Sequence, residues 1–247
     1  MSQLVLREDH ASGVVVLTLN RPDALNALSP DLFVELRAHI DAIAEATETV
    51  GAMVLTGAGR SFSAGNDLKA IQAGATAPSR TFQAETVEAL EALPQPVIGA
   101  VRGHCYTGAL ELLLACDLIV AADDARFADT HGKWAMAPGW GMSQRLPRRV
   151  GQAKAKEMMF TGRPFSGAEA AEIGLANICV PSAELIDRTL ELADQIVANS
   201  WHTLRADKML VRGGDGMSLA EGLRFERTHS PGRGPDLEER LKSFGRG

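Results

Sequence analysis

Four short, almost wholly apolar segments punctuate the first half of the chain, with helical patterns between them. They are VVVLTL at Val14–Leu19, AMVLT at Ala52–Thr56, VIGAV at Val97–Val101 and LIVAA at Leu118–Ala122. Each is rich in β-branched residues and bounded by Gly, Pro, Asn or Asp, which is the signature of a short, mostly buried strand. Ser29-Pro30-Asp31 supplies an N-cap, a first-turn proline and a first-turn acid; Leu32, Leu36, Ile40 and Ile43 then share one helix face. A second helix is predicted over Ser79–Leu93, with Val87 and Leu90 inward, and a third from near Gly108.

Beyond Gly151 the strand signal fades, and only Asn177–Val180 looks extended. Gln152–Phe160 reads as a helix. Ser166-Gly-Ala-Glu169 and Ser218-Leu-Ala-Glu221 are capping boxes, the first opening a helix that ends at Gly174. Ser182–Asn199 is a long amphipathic pattern with Leu185, Leu190, Ile196 and Val197 apolar. The tail, Pro231–Gly247, is charged and Gly-rich apart from Leu237, Leu241 and Phe244. The fold class is therefore α/β, with a core over residues 1–180 and a helical C-terminal region over 181–247. No internal repeat interrupts this division.

A chain of 247 residues, 45% hydrophobic and 23% charged, can bury one sizeable core. Its net charge of −6 gives no bulk attraction to nucleic acid or to an anionic membrane, so an acidic ligand would need a local basic patch. Cys105, Cys116 and Cys179 have no CxxC spacing and form an odd set, against both a disulfide framework and a structural zinc site. MSQLVLREDH carries no signal-peptide pattern, and no apolar run approaches a membrane span. The expectation is a reduced, soluble, cytoplasmic protein with no nucleic-acid or membrane partner and no metal.

Glu111 stands alone in GALELLLACDL, a run otherwise apolar until Asp117. A buried carboxylate must find partners or shift its pKa. With Gly108 as N-cap it would sit at the third helical position, where a glutamate caps the backbone and complements the dipole. It could equally be a general acid or base with a raised pKa. Two strand–turn–helix units lie nearby in the reading: Gly57–Asp67, ending on Asp67 as a candidate N-cap, and Thr107-Gly108-Ala109. Neither has phosphate-loop or nucleophile-elbow spacing. Each offers backbone amides at a helix start, and two such donors can converge on one carbonyl oxygen.

FSAGNDL at 62–68, GHCYTGALELLLACDLIVAADDARF at 103–127, PGWGMSQRLPRRVG at 138–151 and RPDALNAL at 21–28 together resemble the crotonase superfamily, the enoyl-CoA hydratases and isomerases. The resemblance implies a spiral of ββα units capped by C-terminal helices that help complete the site, and a homotrimer or dimer of trimers. It implies an acyl-CoA substrate, with coenzyme A entering as part of the thioester and no permanently bound cofactor. The oxyanion donors fall on the backbone N–H groups of Asn66 and Gly108. Ala64, Asn66, Asp67, Leu68 and Lys69, with Gly108, would lie along the acyl-CoA, and Ala24 and Leu25 near its pantetheine and adenine end. Arg21, Lys69 and Lys208 are candidates for its phosphates.

Glu111 aligns with the first catalytic glutamate of the hydratases. His131 stands where the second is expected, in FADTHGKWAMAPG, two residues after Asp129. A neutral His131 that takes a proton would set the lower limb of the pH profile. Trp134 and Trp140 read as packing residues or acyl-pocket walls, and His104 as structural. Reversible hydration of a 2-enoyl-CoA is the leading expectation. Isomerisation, decarboxylation and C–C bond hydrolysis remain open within the superfamily, a non-catalytic acyl-CoA-binding protein and a Ser61 or Ser63 hydrolase outside it.

Overall fold

The computed structural model describes residues 3–244; Met1, Ser2 and 245–247, the extreme ends of the predicted core and tail, lie outside the described residues. The main sheet has the order β1 (Val5–Asp9), β2 (Val14–Leu19), β3 (Ala52–Gly57), β4 (Val97–Val101), β6 (Leu118–Ala122), β9 (Ile178–Val180). β1 runs antiparallel to β2, and every later pair is parallel. A small second sheet joins β5 (His104–Tyr106), β7 (Arg126–Ala128) and β8 (Phe165–Ser166).

The apolar runs of β2, β3, β4 and β6 are continuous because both faces of the sheet are covered. Val15, Leu17, Met53, Leu55, Val97, Ile119 and Ala121 point into the larger core. Their alternating neighbours Val14, Val16, Val54, Ile98, Val120 and Ala122 point into a smaller one. Over the larger core lie α1 (Pro30–Glu45), α3 (Phe82–Ala92), the central α4 (Gly108–Leu113) and α5 (Met142–Val150); α2 (Leu68–Gln72) buries nothing. α6 (Gln152–Thr161) and α7 (Gly167–Glu172) follow. α8 (Leu185–Val197) covers the other face of the sheet with Leu185, Leu190, Ala193 and Ile196. α9 (Trp201–Gly214), α10 (Leu219–His229) and α11 (Leu237–Ser243) complete the chain.

The predicted N-terminus of α1 holds: Ser29 Oγ accepts from Leu32 N–H, and Leu32, Leu36, Ile40 and Ile43 are all buried. Both capping boxes form as read. The second helix begins at Phe82 rather than Ser79, and the long amphipathic helix starts at Leu185 after a 3-10 turn at Ser182–Glu184. Leu241 and Phe244 stay exposed on the tail. Among the described residues no helix is long and apolar enough to cross a membrane.

Candidate active site

The site lies where the turn before α2, the start of α4 and the segment after β7 meet. Ser63 Oγ donates to Asn26 C=O and accepts from Gly65 N–H, which folds the first turn back on residues 21–28. Leu28 then forms a parallel bridge with Asn66: Leu28 N–H donates to Gly65 C=O, and Leu28 C=O accepts from Asp67 N–H. In such a bridge the central residue of one strand takes both bonds, so the N–H of Asn66 itself faces the other way. Gly65 adopts φ +98°, and a Cβ there would lie 2.6 Å from Tyr106 O and 3.6 Å from Gly108 N. That close approach brings the Asn66 turn against the start of α4.

Thr107, not Gly108, is the N-cap of α4, with φ +53° and ψ −111°. A β-branched residue in that region is strained. Its N–H donates to Ala128 C=O and its Oγ1 accepts from Thr130 N–H, which holds it in place. Gly108 is therefore the first helical residue, and a first-turn N–H has no intrahelical acceptor. Among the described residues neither the Asn66 nor the Gly108 N–H meets an acceptor. Two free donors thus lie on adjoining turns.

Glu111 is the fourth residue of α4 and only 2% exposed. The capping role expected of it is not made. Its Oε1 accepts instead from Trp140 N–H at 2.8 Å and Met142 N–H at 3.1 Å. Its Oε2 faces His131 Nε2 at 3.7 Å. Burial raises the Glu111 pKa above the ordinary glutamate value, against the two N–H bonds and His131, which lower it, while Asp129 adds to the rise. Asp129 Oδ1 accepts from both His131 Nδ1 at 2.7 Å and His131 N–H at 3.0 Å. Burial works to lower the His131 pKa, but the Asp129 bond and the charges of Asp129 and Glu111 outweigh it and leave the pKa raised. The Asp129 bond also fixes the ring, with the proton on Nδ1 directed at the carboxylate and Nε2 at Glu111.

Ala64 N–H donates to Leu25 C=O, which joins the loop of Ala24 and Leu25 to the turn that carries Asn66 and leads into α2. Asp67 caps α2 through Lys69 and Ala70 N–H, and Lys69 is exposed. Arg21 is already engaged through one nitrogen: its Nη1 pairs with Asp67 at 2.8 Å and bonds Ala27 C=O. Lys208 is likewise taken by Asp117 at 2.6 Å and Gln95 C=O. Trp134 is 57% exposed and is not a core residue, whereas Trp140 sits edge-on to Phe33 with ring centroids 5.0 Å apart. His104 is structural, bonded to Ser61 Oγ at 2.9 Å. Ser61 and Ser63 are thus both occupied away from His131, and the hydrolase reading has no geometry. The amides of Trp140 and Met142 were not anticipated as partners of Glu111. The signal was the glycine-flanked PGWG turn entering a helix.

The description "Enoyl-CoA hydratase/isomerase" matches residues 9–232. This chain belongs to the enoyl-CoA hydratase/isomerase family. The short-chain-enoyl-CoA hydratase of Clostridium acetobutylicum is 36% identical over 217 residues, covering 86% of this chain and 83% of that one. An enoyl-CoA hydratase structure from Bacillus anthracis superposes with a TM-score of 0.91 at 35% identity, covering 98% of this chain and 96% of that one. A monofunctional enoyl-CoA isomerase from M. smegmatis follows at 0.79 and 33%, covering 90% and 99%. The enoyl-CoA hydratase/isomerase family works on CoA thioesters, so its members bring the acyl-CoA to such a site as substrate. The ββα spiral with a helical C-terminal region is the crotonase fold.

Proposed function

We propose that this protein catalyses the reversible hydration of a 2-enoyl-CoA. The observation that carries the reading is a pair of unsatisfied N–H groups on adjoining turns, those of Asn66 and Gly108, with a buried carboxylate one helical turn beyond the second. The thioester oxygen accepts from both donors, and as it gains enolate character each is worth about 2.7–4 kcal/mol in the transition state. Glu111, ionised, takes a proton from the water that attacks C3. His131, protonated, gives its Nε2 proton to C2. The product is the 3-hydroxyacyl thioester, and the proton left on Glu111 returns to His131 across the gap between Oε2 and Nε2.

The charge balance supports this division of roles. Two carboxylates sharing one proton carry −1, because close like charges do not both ionise. Asp129, protonated His131 and Glu111 also sum to −1. A histidine backed by an aspartate therefore reproduces the charge of the hydratase pair. In this division of roles Glu111 must be ionised and His131 protonated, so Glu111 governs the acid limb and His131 the alkaline limb, the reverse of what a proton-accepting His131 would give; the Asp129 bond and the Asp129 and Glu111 charges that raise the His131 pKa favour its protonated form.

Isomerisation is the second reading, favoured by the same substitution of His131 for a carboxylate: a single base, Glu111, can carry a proton between C4 and C2. Exposed Val211, Leu219 and Leu223 on α9 and α10 support assembly into a homotrimer or dimer of trimers, which light scattering would test. The deciding experiment for the reaction offers four-carbon 2-enoyl-CoA and 3-enoyl-CoA in heavy-oxygen water, with chromatographic separation of the isomeric thioesters and mass spectrometry of each. Hydration transfers one heavy oxygen from the water to C3 of the 2-enoyl substrate. Isomerisation without oxygen uptake would replace the first reading by the second, and no binding of any thioester by calorimetry would overturn both.

A further inference from the structure

We propose that Arg145 is a positioning residue for Glu111: anchored on Glu91, its guanidinium holds the carbonyl of Trp140 and thereby fixes the turn whose N–H groups hold the Glu111 carboxylate. The proposal rests on the reading of Glu111 as the acid/base group. Arg145 lies on α5 and is 16% exposed in its side chain. Its Nε donates to Glu91 Oε1 at 2.9 Å and its Nη2 to Glu91 Oε2 at 2.8 Å, a two-point anchor on α3. Its Nη1 donates to Trp140 C=O at 2.7 Å. The N–H of that same Trp140 bonds Glu111 Oε1. One residue is thus gripped on its carbonyl by Arg145 and grips Glu111 with its amide.

The turn is built around this contact. Gly141 has φ +115°, and a Cβ there would fall 1.9 Å from Arg145 Nη1. Only glycine leaves room for the guanidinium under the peptide while also accepting that backbone conformation. Besides Arg145 itself, the charged groups acting on Glu111 are His131 and Asp129, both from the segment after β7. Arg145 is faced by Glu91 and Glu88 of α3 as well as by Glu111. Arg212 of α9 reaches the same Glu91 carboxylate at 4.0 Å, so the C-terminal helices touch the far end of this chain of contacts.

Lysine cannot replace the fork, since a single ammonium does not serve a two-point carboxylate and a carbonyl in one plane. In Arg145→Lys the turn should lose its fixed position, and with it the two donors on Oε1 that hold the Glu111 pKa down against burial. The expected result is a folded enzyme with KM near wild type, kcat lower by about 10–100-fold as for a small misplacement, and an acid limb moved to higher pH. Arg148→Ala, on the same helix as Arg145, breaks an exposed pair with Asp215 at the end of α9 and should match wild type.

A second readout is free of turnover. The infrared band of the protonated Glu111 carboxyl, assigned by difference against Glu111→Gln, is titrated in both proteins. Its midpoint should rise in Arg145→Lys, and this holds or fails whichever reaction the enzyme performs. An unchanged midpoint with unchanged kcat in folded Arg145→Lys would overturn the proposal. So would a loss of rate that only tracks the folded fraction in a thermal melt. If Arg145→Lys does not fold, Glu91→Gln removes the anchor while keeping the guanidinium, and the same two outcomes decide.

Discussion

Glu111 Oε2 and His131 Nε2 face each other across 3.7 Å, both inside the protein. That separation is longer than a hydrogen bond and short enough for direct coupling of their charges. Each helps to keep the other ionised, so their titrations belong to the pair.

Glu111→Gln should keep thioester affinity and lose most turnover, by about 10²–10⁴-fold. The amide oxygen can still accept from Trp140 and Met142 N–H but exchanges no proton. Calorimetry with acyl-CoA beside steady-state kinetics checks this. Turnover within a few-fold of wild type would remove Glu111 from the chemistry.

The kcat/KM profile should be bell-shaped. Glu111 must be ionised, so activity falls as pH drops through its raised pKa; His131 must be protonated, so activity falls again as pH climbs through its own raised pKa. Asp129→Asn withdraws the charge that raises His131 and weakens the bond, leaving Glu111 alone against burial, so the alkaline limb should move to lower pH. An alkaline limb that stays in place would show that His131 does not set it.

His131→Ala should cost about 10²–10⁴-fold in rate and abolish the alkaline limb. His131→Glu alone would bring a third carboxylate beside Asp129 and Glu111, and repulsion should keep it poorly active. The double variant Asp129→Asn/His131→Glu restores two carboxylates in the site. Its hydration of a short 2-enoyl-CoA should exceed that of either His131 single variant, and parity with His131→Ala would speak against the charge-balance argument.

Asp67→Ala should lower stability by about 0.5–2 kcal/mol from the lost cap of α2. Burial works to raise the Asp67 pKa, but bonds from Ala70, Arg21 and Lys69 leave it depressed. A depressed carboxylate stabilises the fold above its unfolded pKa, and that contribution is lost as pH falls through the folded one. Denaturant melts at pH 7 should therefore separate the variant from wild type, and the gap should close at low pH. An equal gap at both would assign the loss to the helix alone.

The central strands could be read from the residues because burial on both faces leaves unbroken apolar runs. β5, β7 and β8 could not, since strands of two or three residues carry no period. β1 was hidden by its charged, exposed side chains at the sheet edge. α5 was hidden by Pro147, which argues against a helix interior yet sits within one here. At the site, Glu111 was legible because a lone carboxylate in an apolar run demands an explanation. Its true partners were not, because main-chain amides leave no residue type to recognise.

The hydrogen bonds between residues 21–28 and 57–67 run in both directions. Asn26 Nδ2 reaches Ala58 and Ser61 C=O, Ser63 reaches back to Asn26, and Leu28 is locked to Gly65 and Asp67. The two segments are therefore a single exchangeable part. A chimera that imports one of them from a relative, to alter acyl-CoA recognition, must import the other with it, and substitutions within the pair should be inherited together.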